Sequence, residues 1–392
     1  MSISPIERSG TESAAQVREQ LLRIDPLLLL AVVGLALCSF VTLHGAGYRT
    51  DADKQMLYAG FGLLLALVMS RFDYTVLRDY RYLLYATGVV LNIAVFAFHS
   101  VNGAHSWIPL PGFQFESSEF GKLLLIVPLS AFAVERSRRL SERGTMARVI
   151  LLALVPAMLV MGQSNLGTAL VYVTIGAATL FFLGTGWRQL AALALLGVVA
   201  AAIVLVAAPA VGVNVLRPYQ KQRLTTFINP PANCNNNDKT CYQLHEGIVA
   251  IGSGQKTGVG PENATQATFG LLPEPNTDFI FAVLGETYGF AGAALVLSLY
   301  ALLIWRALRI LTMAKNLFGT LIAGGVLSMF MFQIFLNIGM TLGIMPVAGV
   351  TLPLLSYGGS SVLTTFLAIG LLQSIHVQAR MASSGKARVL IV

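Results

Sequence analysis

Charge is what this chain has least of. Asp, Glu, Lys and Arg supply 11% of its 392 residues and hydrophobic residues 55%. A soluble domain carries roughly 25% charged residues, so a water-solvated fold is excluded. Cysteine is scarce too: Cys38, Cys234 and Cys241 are the only three. No histidine pair stands at ligand spacing beside them, which excludes a zinc centre of the usual kind. No glycine run has P-loop spacing and no Walker B segment accompanies one, so nucleotide-driven chemistry of that class is excluded. The net charge is +8, yet no basic stripe is interleaved with aromatics, and nucleic acid is not an expected partner. The first 25 residues are polar and mixed in charge, with no A-x-A site after the first apolar run. No cleavable signal peptide is therefore expected. No internal repeat is visible.

What is present is a series of apolar blocks near the ~20 residues that cross a bilayer. They predict an all-α integral membrane protein with about ten spans, at 27–44, 54–70, 82–99, 117–134, 147–162, 165–183, 189–208, 279–305, 318–342 and 352–375. One large loop, 209–277, separates the seventh from the eighth. The break at "MGQSNLGTAL" is so tight that the chain must turn in or near the hydrocarbon, where protein has to satisfy the backbone. Lys and Arg on alternate loops count eighteen on one side against two (Arg49 and Lys54) on the other. That bias predicts both termini in the cytoplasm and the long loop outside. The expected organisation is a cytoplasmic tail over 1–25, one membrane domain over 26–376 and a cytoplasmic tail over 377–392.

Polar residues inside spans are expensive and so are functional candidates. Glu119 and Lys122, in "FESSEFGKLLLIV", share a helix face, either as a self-neutralising pair or as part of a site. Asp278 sits at the mouth of the eighth span, with Glu286 deeper and on nearly the opposite face. Asp278 or Thr277 could simply cap that helix. Asn92, Gln333 and Asn337 suit interhelical hydrogen bonds. The run "AIGSGQKTGVG" offers backbone N–H groups to an anion or is a flexible turn, and "PLLSYGGSS" suits a tight turn within a span. Cys234 and Cys241, with six residues between them in a turn-rich insert, are expected to form a disulfide in an oxidising compartment, leaving Cys38 free.

The ordered segments "NGAHSWIPLPGFQFESSEFGKLLLI", "SNLGTAL", "FINP", "CYQLHEGIVAIGSG", "LLPEPNTDFIFAVLGETYGF" and "NIGMTLGIMPVAGVTLPLLSYGGSS" resemble the SEDS family of RodA, FtsW and their sporulation relatives. The resemblance runs from about residue 54 to 375. It implies ten helices with a large external loop, and polymerisation of lipid II into glycan strands beside a class B penicillin-binding protein. Three positions depart from the family pattern. His105 stands for an Arg, Asn165 for an acidic residue and Asn276 for a His. Asp278, Glu119 and Lys122 match.

On that resemblance Asp278 is the expected general base for the acceptor 4-hydroxyl, with undecaprenyl pyrophosphate leaving. Candidate groups for pyrophosphate or sugar are Lys54, Glu119, Lys122, Arg217, Arg223, Lys256, Ser356, Gly358, Gly359 and Ser360. No metal ligand set is identified, although the chemistry leaves room for a divalent cation, Mg or Mn. Two other functions fit the same membrane protein: a lipid II flippase, for which the Glu119–Lys122 pair matters and Asp278 does not, and a non-catalytic scaffold for the transpeptidase, for which neither matters.

Overall fold

The computed structural model describes residues 24–98, 106–110, 113–137, 143–202, 218–228, 239–268 and 271–389. Ten apolar helices form the body: α1 (Pro26–Gly45), α2 (Arg49–Met69), α3 (Arg81–Ala94), α4 (Ser117–Glu135), α5 (Arg143–Gly162), α6 (Leu166–Phe182), α7 (Trp187–Ala202), then α11 (Ile280–Met313), α12 (Leu317–Thr341) and α13 (Gly359–Val389). Seven are long and apolar enough to cross a bilayer and three are shorter, so the chain is a multi-pass membrane protein. Between α3 and α4 lies a hairpin of β1 (Trp107–Leu110) and β2 (Phe113–Glu116), antiparallel with Trp107 opposite Glu116. Among the described residues between α7 and α11 stand α8 (Pro218–Ile228), α9 (Lys239–Ser253) and α10 (Thr265–Thr268).

The packing follows from which faces are apolar all round. α12 and α13 are buried over most of their length, while α1, α2 and α5 leave many large side chains exposed for lipid. A helix in hydrocarbon gains no hydrophobic energy by meeting another, so close approach depends on small residues and interhelical hydrogen bonds. Gly324 of α12 accordingly lies against the Phe182 ring, and Tyr172 Oη donates to the Ser118 carbonyl at 2.9 Å.

The tight turn between α5 and α6 is a buried one, as its length requires. Gln163 donates to Asn92 O at 2.8 Å and to Asn92 Oδ1 at 3.1 Å, and Asn165 caps α6 by accepting from Thr168 N.

Two spans differ from their sequence reading. The tenth helix starts at Gly359, not near 352, and runs on through the start of the expected C-terminal tail. Residues 350–357 instead form a non-helical segment inside the protein. Its carbonyls are met by side chains from four helices: Asn337 on Val350, Tyr300 on Pro353, Ser39 on Leu355 and Gln55 on Ser356. Irregular backbone survives at membrane depth only with such partners.

The eighth span is broken. At Gly289 the backbone takes φ 62° and ψ −159°, which a residue with a Cβ rarely adopts. The glycine run after α9 fills the break. Val259 N donates to Glu286 O at 3.0 Å and Gly260 N to Thr287 O at 3.1 Å, while Phe290 N and Ala291 N donate to Gln255 O and Lys256 O. Of the run read as an anion cradle or a loose turn, the Val259 and Gly260 N–H groups are thus spent on the opened helix and the Gly258 N–H on Gly254 O.

Helix rise gives the depth. Arg306 pairs with Asp25 at one end of the bundle, and Tyr288 Oη donates to Val41 O near the other end of α1. The 18 residues between them span roughly 27 Å, about one hydrocarbon thickness. Ile280–Thr287 is an extra buried segment beyond that crossing, packed against α9 and α12.

Candidate active site

Asp278 lies in the turn two residues before α11, half-buried. It does not cap the helix. The N-cap residue is Phe279, without a side-chain cap bond, and Thr277 Oγ1 turns back to Glu274. The Asp278 carbonyl accepts from Asn337 Nδ2 at 3.0 Å, and the same amide donates to Val350 O at 2.7 Å. Asn337 is fully buried in α12, 21 residues beyond Asn316, the residue that caps the start of that helix. That places the Asp278 turn roughly 31 Å along α12, at the far boundary of the crossing.

The carboxylate itself accepts no hydrogen bond among the described residues. Its Oδ2 lies 3.5 Å, and Arg223 Nη1 3.4 Å, from the point where a Cβ on Gly349 would stand. Gly349 has φ +66°, so this residue both makes the turn and leaves the space where the acid and the guanidinium converge. Burial pushes the Asp278 carboxyl up to about 6, with Arg223 pulling it down and Glu274 pushing it further up.

A second wall comes from the hairpin and α4. Lys122 Nζ and Glu119 Oε2 are 2.7 Å apart and almost wholly buried. Taking both charges out of water costs several kcal/mol, which their pairing offsets; the pair seals itself. One turn earlier, Glu116 ends β2. Its Oε1 accepts from Ser118 Oγ at 2.9 Å and from Asn165 Nδ2 at 3.1 Å. Asn165 stands where the family resemblance leads one to expect an acid, and the carboxylate found beside it is Glu116. From Glu116 to Glu135, which pairs with Arg81, α4 rises roughly 28 Å, so Glu116 and Asp278 share a level. Sequence reading passed over Glu116; a carboxylate three residues before Glu119, in the same motif, was the available signal.

The remaining candidates separate into three groups. The hydroxyls of Ser356 and Ser360 are used within the protein: Ser356 donates to Thr277 O and accepts from Leu352 N, and Ser360 donates to Gln114 O and accepts from Glu116 N. Gly358 N donates to Gln55 Oε1 at 3.3 Å, and Gly359 packs against Phe113 and Tyr58. These residues hold the turn behind Asp278 in register. Asn276 likewise bonds Asp51 Oδ2 at 3.0 Å, while Tyr357 N donates to its carbonyl. Lys54 is exposed in the first turns of α2. Lys256 is exposed beside Ala291, on the far side of the Gly289 break from Asp278. Glu286 accepts from Gln266 N at 2.9 Å and so belongs to the α10 contact. Arg217 and His105 lie outside the described residues. Cys241 is disulfide-bonded and Cys38 is a free thiol; Cys234, the expected partner of Cys241, also lies outside the described residues. Among the described residues no group of three or more His, Cys, Asp or Glu side chains is arranged to hold a metal ion.

Known proteins resemble this arrangement over nearly its whole length. The FtsW/RodA/SpoVE model, described as a cell cycle protein family, matches residues 19–381. Peptidoglycan glycosyltransferase RodA of Treponema pallidum is 32% identical over 427 residues, covering 90% of this chain and 98% of its own. Peptidoglycan glycosyltransferase MrdB of Escherichia coli K12 is 34% identical over 365 residues, covering 92% and 95%. Among solved structures, a chain from work on "structural coordination of polymerization and crosslinking by a peptidoglycan synthase complex" superposes with TM-score 0.77 at 30% identity, covering 91% of this chain and 98% of that one. The crystal structure of the rod shape determining protein RodA of Thermus thermophilus gives TM-score 0.66 at 28% identity, covering 90% and 96%.

Proposed function

We propose, from the premise that this chain belongs to the FtsW/RodA/SpoVE family, that it is a peptidoglycan glycosyltransferase polymerising lipid II into glycan strands. Asp278 is the general base. The observation that carries this reading is a carboxylate at the bilayer boundary whose backbone is clamped by Asn337 and whose side chain is left open next to Arg223. A carboxyl near 6 is ionised at pH 7 and still basic enough to take the proton of the acceptor 4-hydroxyl. As that oxygen attacks the anomeric carbon of the donor, charge builds on the departing pyrophosphate. Arg223, on the external helix α8, is the cation suited to stabilise it. Lys122, neutralised by Glu119, is less suited.

The bias of Lys and Arg supports an orientation with the Asp25 end in the cytoplasm and the Asp278 site at the outer face of the bacterial inner membrane. The polymerisation-and-crosslinking complex among the structural relatives supports a transpeptidase partner, a class B penicillin-binding protein. The membrane body is read as one domain with cytoplasmic tails.

The test is glycan-chain formation from labelled lipid II by purified protein. Asp278→Asn should abolish product while the protein stays folded. Undiminished chain synthesis by that variant would remove the assignment, and transport or scaffolding would take its place.

A further inference from the structure

We infer that Glu116 is a further substrate-binding residue of this site, presenting the second oxygen of its carboxyl group to a phosphate oxygen of the lipid diphosphate. The inference rests on the transferase reading above and adds to the site a carboxyl that feels the charge of the base.

The two oxygens of Glu116 differ in their partners. Oε1 takes two donors, Ser118 Oγ and Asn165 Nδ2. Oε2 has no hydrogen-bond partner among the described residues, yet it is not among the sealed, unsatisfied polar atoms. It therefore keeps accessible surface and an unused acceptor or donor position. The residue is held from three sides: its N–H donates to Ser360 Oγ at 2.9 Å, it pairs with Trp107 across the hairpin, and Asn165 grips the carboxyl. Glu116 is the N-cap residue of α4 and makes no cap bond with its side chain. A carboxylate at that position ordinarily bonds the first helical N–H groups; this one is turned to Asn165 instead.

The charges facing it decide which form is present. From α4 come Glu119 and Lys122, and from the turn before α11 comes Asp278; Asn165 and Ser360 are neutral. The one cation already faces Glu119 at 2.7 Å. Burial and then Glu119 raise the Glu116 carboxyl above the ordinary carboxylate range; Ser118 and Lys122 act the other way, and Asp278 adds to the rise. A carboxyl that keeps its proton can donate to an anion, whereas an ionised one repels it. The lipid diphosphate is a diester whose charge is constant from pH 6 to 9, so the pH dependence of binding reports the protein.

The experiment uses full-length protein carrying Asp278→Asn, titrated with labelled lipid II in bilayer nanodiscs from pH 6 to 9. The parent protein should lose about tenfold in affinity over that range as Glu116 ionises. With Glu116→Gln added, affinity should be several-fold weaker at pH 6 and should change less than about threefold by pH 9, because the amide keeps a donor but cannot ionise. The same alkaline loss in both proteins overturns the proposal, and so does an absence of binding at every pH in the Gln variant. The readout is binding, so it does not depend on Asp278 being the base. Chain synthesis by Asp278→Asn would defeat the transferase assignment of Asp278 and leave the Glu116 titration to be judged by its own curve.

Discussion

Asp25 and Asp278 look alike in the sequence: each is an aspartate at the start of an apolar helix, "IDPLLLL" and "TDFIFAV". In the fold they have opposite fates. Asp25 is fully buried and spends every acceptor. Its Oδ1 takes Leu27 N and Leu28 N, its Oδ2 takes Arg306 Nε and Nη2, and its backbone exchanges hydrogen bonds with the Gln373 amide. It is a cap and a staple joining α1, α11 and α13. Asp278 has its backbone fixed and its carboxylate unspent. The difference teaches how to tell a structural acid from a working one in this membrane protein. Asp25 is fully buried and Asp278 half-buried, but saturation of the hydrogen-bond capacity separates them most clearly, because an unsatisfied charge at a half-buried position is costly to keep unless something binds there.

The largest expected effect would break the comparison outright. Asp278→Asn should lower polymerisation by about 10²–10⁴, with thermal unfolding in detergent at the same temperature as the parent or higher. The sign of the stability effect follows from the shift: a carboxyl held at about 6 in the fold pays for its ionised form at neutral pH, and an amide does not. If the Asn variant unfolds markedly earlier, Asp278 is structural like Asp25.

Asp25→Ala is the converse. It leaves Arg306 buried without its partner, which typically costs about 3–5 kcal/mol, and it removes the cap of α1. Expression and unfolding temperature should fall sharply, while turnover per folded molecule stays near the parent value. A stable Asp25→Ala protein with lost turnover would mean that the two ends of the bundle are coupled.

Much of the fold was legible because apolar length is a local property. The helices fall within the predicted apolar blocks except at the start of α13 and the break in α11, and the "MGQSNLGTAL" turn is buried as its length demands. What was not legible depends on partners far along the chain. The break at Gly289 looks like ordinary helix in "TYGFAG"; it exists because Gln255–Gly260 exchanges backbone hydrogen bonds with it. The start of α13 was misread because "TLPLLSY" is apolar enough to be a span, while its carbonyls are met by Ser39, Gln55, Tyr300 and Asn337. Asp278 and the Glu119–Lys122 pair were legible as charges out of place. Glu116 was not, since its meaning comes from Asn165, 49 residues away. Asn337 had been read as an interhelical hydrogen bonder; that it holds the Asp278 turn needed the coordinates.

Asn337 gives the intermediate test, because it can loosen Asp278 without removing it. Asn337→Ala orphans the carbonyls of Asp278 and Val350, each otherwise paired by one amide. Leaving a buried acceptor unsatisfied costs about 1–3 kcal/mol. Turnover should drop by an amount between that of the parent and that of Asp278→Asn, with the protein still folded. Asn337→Asp, which keeps size but cannot donate when ionised, should not restore it. Full activity in the Ala variant would show that the base needs no clamp.

The smallest effect is the acid limb of the parent enzyme, and it touches the comparison most directly because no atom is changed. Asp278 must be ionised to accept a proton. With its carboxyl at about 6, the active form falls to half near that pH and by roughly tenfold for each unit below it. Initial rates of chain formation should therefore decline between pH 7 and 5, while near-ultraviolet circular dichroism over the same range stays constant. Asp278→Glu, if it retains measurable activity, should shift the midpoint. A rate that is flat down to pH 5 in folded protein would mean that the titrating base is not Asp278, and the contrast between the two aspartates would then be one of packing alone.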